Sequence, residues 1–325
     1  MLFFKRATAA RLALSSIPVL LAACGGGGGG DGGTTAPPAL VSPASLTLSQ
    51  AQLLAGRAAM AASQGSVATQ LSQAMLTLAT TSAPTSGTVS CGLGGSASYS
   101  RVDADGNNLV SAGDSITLVG SQCRFSSNGV TGGLDGQLSA LVTQASGGAS
   151  TSYYTTSTSW LLKMVQSYGS LTSTVNGASV KLGGTVEVMD TATNNSYRFD
   201  KFSAVGGSGV NSLLASGTVA AATISGATDG AVRSLTLADL SLQTNYSGTD
   251  KVAITLPTAN QQPLRFNSAG QVVGGMLTLQ LDKVKVVVTV TGTNQARIDV
   301  DNGNDGSIDA TQSVAWTSML SGAAL

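Results

Sequence analysis

A mainly β fold is predicted by three observations. From about Pro84 onward, apolar and polar residues alternate with period two. The dipeptides Asn128-Gly129, Asp135-Gly136, Asn176-Gly177, Asp229-Gly230 and Asn302-Gly303, all suited to tight hairpins, recur along the same stretch. No strand–helix–strand alternation appears, which argues against a doubly wound sheet. Period-two alternation marks strands with one buried and one wet face, the antiparallel habit. We therefore expect a large antiparallel meander of roughly a dozen or more strands, which must curl, close or split. The result would be a barrel-like, sandwich or prism-like sheet with an N-terminal helical segment packed on it.

Taken in order, the chain opens on residues 1–23, where Lys5, Arg6 and Arg11 precede an apolar run from Leu12 to Leu21 and the small pair Ala22-Ala23. That is the layout of a secretory signal, and at roughly 10 to 12 residues the run is too short to span a bilayer as a helix. Leu21-Ala22-Ala23-Cys24 resembles the lipobox of bacterial lipoproteins. The resemblance implies cleavage before Cys24, a diacylglyceryl group on its thiol and an acylated amino terminus, an attachment that several acyl chains make durable. The alternative is an ordinary secretory signal with an incidental cysteine. Gly25 stands where inner-membrane lipoproteins tend to carry Asp, so the resemblance implies the outer membrane.

Residues 24–43 are mostly Gly, Thr, Ala and Pro and cannot bury enough apolar surface to fold. As a flexible coil they form a tether with a root-mean-square reach of about 24 Å. Residues 44–82 form the helical segment: Ala, Leu, Gln and Met are frequent, Ser49 is a candidate cap, and Leu53, Leu54, Arg57 and Met60 fall near a 3.6 period. A break near Gly65 precedes Val67, Leu71, Ala74, Met75 and Leu78, so a helical hairpin or kinked helix is expected, docked on something larger. A free coiled-coil stalk is the alternative.

Residues 84–325 form the β domain. Leu171, Ser173 and Val175, then Val186 and Val188 around Glu187, Leu277, Leu279 and Leu281, and Val284 to Val290 all alternate. A glycine is expected to open several of these strands, at Gly136, Gly169, Gly184, Gly217 and Gly275, with spacing too irregular for a solenoid. An outer-membrane barrel is disfavoured because a lipid anchor would be redundant, and 14 aromatic residues are few for two girdles.

Two cysteines remain in this body. In an oxidising envelope Cys91 and Cys123 are expected to form a disulfide, while a catalytic thiol pair is disfavoured by the lack of CxxC spacing and of any histidine. Between them lies Asp103-Ala-Asp105-Gly-Asn107-Asn-Leu-Val-Ser111-Ala-Gly-Asp114. Asp103, Asp105, Asn107, Ser111 and Asp114 occupy positions 1, 3, 5, 9 and 12 of a pattern similar to the calcium loops of EF-hands and dockerins. Asn108 replaces the usual Gly and Asp114 the usual Glu, and the flanks read as strands. The alternative, an Asx-rich hairpin turn without metal, is the plainer reading. Asp301, Asp305 and Asp309 make a second candidate, where Gly303 supplies no ligand and the turn reading is preferred.

Cys91, the Asp103–Asp114 loop, Cys123 and the stretch VTGTNQARIDVDNGNDGSIDATQSVAW ending at Trp316 together resemble a group of β-rich proteobacterial lipoproteins. The likeness covers most of residues 84–320. It implies fold and location and carries no activity.

Composition narrows function further. Only 10% of residues are charged, and after Ala23 there are 13 basic and 16 acidic residues, so no basic footprint for nucleic acid can be assembled. With no histidine, Ser-His-Asp, Cys-His and His-ligated metal sites are excluded. No GxSxG, SxxK or P-loop occurs, Glu187 is expected to face solvent, and Trp160 and Trp316 are expected in the core or on a sheet face. The expectation is a non-enzymatic envelope scaffold or binding module, attached to the membrane through Cys24, with no required cofactor and calcium as the one candidate ion. A carrier of lipid or another hydrophobic ligand is the alternative, and a His-independent hydrolase is less favoured.

Overall fold

The computed structural model describes residues 40–60, 85–127, 130–146, 161–175, 178–191, 194–206, 211–247 and 250–322. The signal segment, Cys24, most of the tether, the helical segment beyond Met60, Trp160 and the dipeptides Asn128-Gly129 and Asn176-Gly177 lie outside the described residues.

The described residues form one antiparallel sheet of 15 strands. These are β1 (Ser86–Ser90), β2 (Ser96–Val102), β3 (Ser115–Ser127), β4 (Val130–Ala145), β5 (Leu161–Val175), β6 (Ala178–Thr191), β7 (Asn194–Gly206) and β8 (Asn211–Thr223), followed by β9 (Ala231–Ser247), β10 (Asp250–Leu256), β11 (Gln262–Asn267), β12 (Val272–Gln280), β13 (Val284–Gly292), β14 (Gln295–Asn302) and β15 (Ala310–Ala315). A helix, α1, spans 48–60, and a short helix, α2, spans Trp316–Gly322. The expected meander with an N-terminal helix is present.

Almost every strand pairs with its neighbours in sequence. The departure is at β10 and β11, both of which lie between β9 and β12. Leu256 pairs with Leu240 and Leu264 with Leu235, so eight steps along this side match five along β9. β10 and β11 are thus one rung of the meander, interrupted by the 3-10 turn Thr258–Asn260. Gln261 repairs the break: its side-chain amide donates to the Thr278 carbonyl (2.7 Å) and accepts from the Thr278 N–H (3.0 Å), standing in for a missing stretch of ladder.

The glycines expected to open strands do not. Gly136, Gly169, Gly184, Gly217 and Gly275 lie inside β4, β5, β6, β8 and β12, and Asp135-Gly136 is therefore no hairpin turn. The register shifts next to Gly136, Gly184 and Gly217, and again between Tyr168 and Leu171. Each is a β-bulge, in which an extra residue bends the strand and raises its twist. Buried positions change parity there: Met164, Gln166 and Tyr168 give way to Leu171, Tyr197 and Phe199 to Phe202, and Leu235 and Leu237 to Leu240 and Leu242. Residues with positive φ recur along the line, at Gln122, Gly136, Gly184, Lys201, Gly217, Asp239 and Gly275. Together they form a crease across the sheet. Such a crease lets a long meander curl over its own inner face instead of lying flat.

That inner face and α1 share one core. Tyr99, Ile116, Leu138, Val186, Phe199, Leu240, Ile254, Val286 and Ile298 belong to the same cluster as Leu54, Ala55 and Ala58 of α1. Every residue of α1 from Leu54 to Met60 is buried, so the helix has no wet face there and lies within the curl. Its start is a capping box two residues earlier than the expected Ser49: Thr47 Oγ1 accepts from the Gln50 N–H, and Gln50 Oε1 accepts from the Thr47 N–H (2.9 Å). The lead-in is pinned to the later strands, with Val41 N–H donating to the Lys251 carbonyl (2.7 Å) and Leu46 N–H to Asn302 Oδ1 (2.7 Å).

The alternation does not continue to the C-terminus. After β15 the chain turns into α2, where Trp316, Met319 and Leu320 are buried; their spacing is helical, and Trp316 is a core residue.

Candidate functional site

Among the described residues, the most chemically equipped surface is the loop between β2 and β3, enclosed by the disulfide. Cys91 and Cys123 are bonded, with Cα atoms 5.3 Å apart and a sequence separation of 32. The turn after Cys91 is laced to β3 as well: Leu93 N–H donates to the Arg124 carbonyl and Arg124 N–H to the Gly94 carbonyl, both at 2.9 Å. The expected pairing is therefore supported by two backbone bonds beside the bridge.

The strands flanking the loop are those expected, and β2 and β3 remain in register up to Val102 and Ser115. The loop then closes on its own carboxylates. Asp103 accepts from the Gly106 N–H at Oδ1 (2.8 Å) and the Asn108 N–H at Oδ2 (2.6 Å). Asp105 accepts at Oδ2 from Asn107 Nδ2 (2.8 Å) and Ser111 Oγ (2.9 Å). Asp114, buried, accepts from the Ala104 N–H at Oδ1 and the Ser111 N–H at Oδ2, both 2.9 Å. Asn107 Oδ1 accepts from the Leu109 N–H (2.6 Å). Asn108 adopts φ 60°, the left-handed conformation that Asn tolerates better than most residues. Val110, nearly fully buried, anchors the loop's middle in the core.

Desolvation pushes the Asp103 carboxyl up, but the Asn108 backbone N–H, the side-chain interaction with Asp105 and the Gly106 and Asn107 backbone N–H groups outweigh it and hold the group below the ordinary carboxylate range. Carboxylate oxygens of Asp103, Asp105 and Asp114 lie within 4.8 Å of one another. That donor set suits a hard cation such as calcium. The same oxygens already cap the loop's own amides, and Asp114 spends both oxygens that way.

The second acidic stretch distributes its carboxylates differently. Asp301 accepts from the Asp305 N–H (3.1 Å) and the Gly306 N–H (3.0 Å), Asp305 from the Ser307 N–H (2.8 Å), and Asp309 from the Asn302 N–H (2.7 Å). Each side chain serves a different backbone amide, the pattern of an Asx-rich turn. Glu187 lies on the outer face, paired with Arg198 at 2.6 Å.

Sequence reasoning misses two polar arrangements. One is the Gln261–Thr278 repair of the ladder. The other is inside the sheet, where Tyr168 donates to Gln166 Oε1 at 2.8 Å and both residues are buried; a glutamine at a position alternating with Met164 and Tyr168 was the available signal. No family model, no curated protein and no solved structure matches the chain.

Proposed function

We propose that this chain is a lipid-anchored envelope protein that acts by binding or by holding its surroundings in place, not by catalysis. The observation that carries this reading is how the acidic residues are employed. In the Asp103–Asp114 loop and in the Asp301–Asp309 stretch, the carboxylates cap backbone amides of their own turns. Carboxylates so committed shape a surface and are poorly placed to exchange protons with a substrate. The Leu21-Ala22-Ala23-Cys24 resemblance and the glycine tract after it support attachment through Cys24 and a body held off the outer membrane by a flexible leash.

The test is acyl labelling. The wild-type chain should incorporate labelled palmitate and fractionate with the outer membrane, and Cys24→Ser should abolish both. Unchanged labelling in that variant would remove the anchor from the proposal.

The carrier reading has one observation in its favour, an inner sheet face that is apolar from Tyr99 to Ile298 and closed over by α1. Native mass spectrometry of the detergent-released protein separates the two. A co-purifying lipid supports a carrier, and bare protein supports a scaffold.

A further inference from the structure

Arg57 is a cation in an apolar place. It is 7% exposed, on the stretch of α1 that is buried at every position. Its Nη1 donates to the backbone carbonyl of Asn245. Its Nε is buried and has no hydrogen-bond partner among the described residues. None of the ion pairs among the described residues, Arg198–Glu187, Arg265–Asp229 and Arg297–Asp299, involves it. Outside the described residues the sequence carries a single acidic residue, Asp31 of the tether. Burial depresses the pKa of the guanidinium, and no neighbouring carboxylate among the described residues offsets it.

A buried charge is normally paired, because leaving an ion uncompensated in a low-dielectric interior costs several kcal/mol. A backbone carbonyl contributes a dipole, not a counter-charge. The guanidinium fork suits carboxylate and phosphate oxygens, which can accept two of its N–H groups side by side. Its location also favours a ligand. Asn245 pairs with Lys251 and Thr244 with Val252, so Arg57 reaches the end of the curled sheet where β9 gives way to β10, not its sealed middle. Around it the inner face is mostly apolar, with Leu242, Val252 and Ile254 buried and Thr244 as a buried polar neighbour.

We propose that Arg57 seats an anionic group, a carboxylate or a phosphate, at the β9–β10 end of the curled sheet, either as a free anion or as the head of an amphiphile. The inference rests on the binding reading above. It does not depend on lipidation, so a failure of acyl labelling and a failure of anion binding are separate results.

The experiment is thermal denaturation of the full chain in non-ionic detergent, with inorganic phosphate and with octanoate as probes against chloride at equal ionic strength. The expected result is a rise in melting temperature of about 3 °C or more with at least one probe at saturation. A response to phosphate alone assigns a phosphate ligand, and a response to octanoate with co-purified amphiphile in the wild type assigns a carboxylate head group. Arg57→Met should melt at or above the ligand-free wild type and lose the response, while Arg57→Lys should retain a weaker one. Absence of any shift in the wild type overturns the proposal, as does an equal shift in Arg57→Met. Should Arg57→Met fail to fold, a response undiminished in Arg57→Lys overturns the fork-specific seat.

Discussion

Gly184 and Lys201 face each other across β6 and β7, each in the left-handed region, at φ 91° and 50°. A Cβ on Gly184 would overlap the Lys201 carbonyl oxygen and lie 2.9 Å from Phe202 Cα. The two positions should respond to substitution with opposite sign. Gly184→Ala combines left-handed strain of about 1–2 kcal/mol with overpacking of about 1–3 kcal/mol, for a loss near 3 kcal/mol. Lys201→Gly relieves strain of the first kind against the entropy of a freer unfolded chain, and should be neutral or stabilising by up to about 1 kcal/mol. Urea midpoints of the two variants decide it; losses of equal size would show that the bulge is not what constrains these residues.

The same bulge explains which parts of the fold are legible in sequence. Alternation gives the strands and their antiparallel pairing, because burial of one face imposes period two wherever the sheet is regular, as in Val284, Val286 and Val288. It fails at the crease for a physical reason. A bulge adds one residue and flips the phase, so the second half of β5 or β9 looks like a new strand led by a glycine or a polar residue. The parity change from Tyr168 to Leu171 and from Leu237 to Leu240 was the readable sign. Thr47 as cap was also readable from Thr-x-x-Gln. The acidic loop was legible as a set of residues but not as a bonding scheme, since spacing alone does not say whether Asp114 faces an ion or two amides. Helical spacing places Arg57 on the buried stripe, and only the packing reveals that no acid among the described residues accompanies it.

Removal of the disulfide tests how much of the loop's order is local. Closing a loop of this length contributes about 3–4 kcal/mol in the chain-entropy model, and the bridge joins the end of β1 to the middle of β3. Cys91→Ala with Cys123→Ala should lower stability by that amount while keeping the β-sheet circular dichroism. The backbone bonds between the Cys91 turn and Arg124 hold the register without the bridge. Loss of the sheet signal at native temperature would assign the bridge a larger role.

Asp114 should matter whether or not an ion is present. Its two oxygens cap the Ala104 and Ser111 amides from a buried position, and stranding such amides costs about 1–3 kcal/mol. Asp114→Ala should therefore lose about 2 kcal/mol even in chelator-treated protein. Asp114→Asn, which keeps one acceptor, should lose less. A penalty that appears only when calcium is supplied would reverse the account and make ion binding the main work of this residue.

The Asp103 carboxyl gives the same loop a pH dependence of known sign. Its pKa is held below the ordinary range in the folded chain, chiefly by hydrogen bonds that outweigh desolvation. The loop's stabilisation is therefore complete above the unfolded carboxylate pKa, near 3.9, and is lost as pH falls through the lower folded value. Carboxyl carbon NMR shifts should place the Asp103 transition below that of an unstructured aspartate. Amide exchange at Gly106 and Asn108 should accelerate in step with it, and a transition at or above the ordinary value would sink the claim.

Tyr168 sets the opposite limit. Desolvation inside the sheet, with a contribution from neighbouring Tyr197, pushes its phenol far above the usual tyrosine range. The folded chain holds this proton where the unfolded chain, with a tyrosine pKa of about 10, releases it. Stability is thus untouched below about pH 10 and falls as pH rises beyond it, by up to about 1.4 kcal/mol per pH unit for this one group. Tyr168→Phe should remove one proton's worth of that alkaline slope. It should also cost about 1–3 kcal/mol at neutral pH, because the donor to Gln166 Oε1 is gone from a site where both residues are buried. Urea midpoints from pH 8 to 11 separate the two effects: a variant that loses stability at pH 8 but keeps the wild-type slope would mean that Tyr168 ionises without unfolding, and that the interior of the curled sheet admits water at high pH.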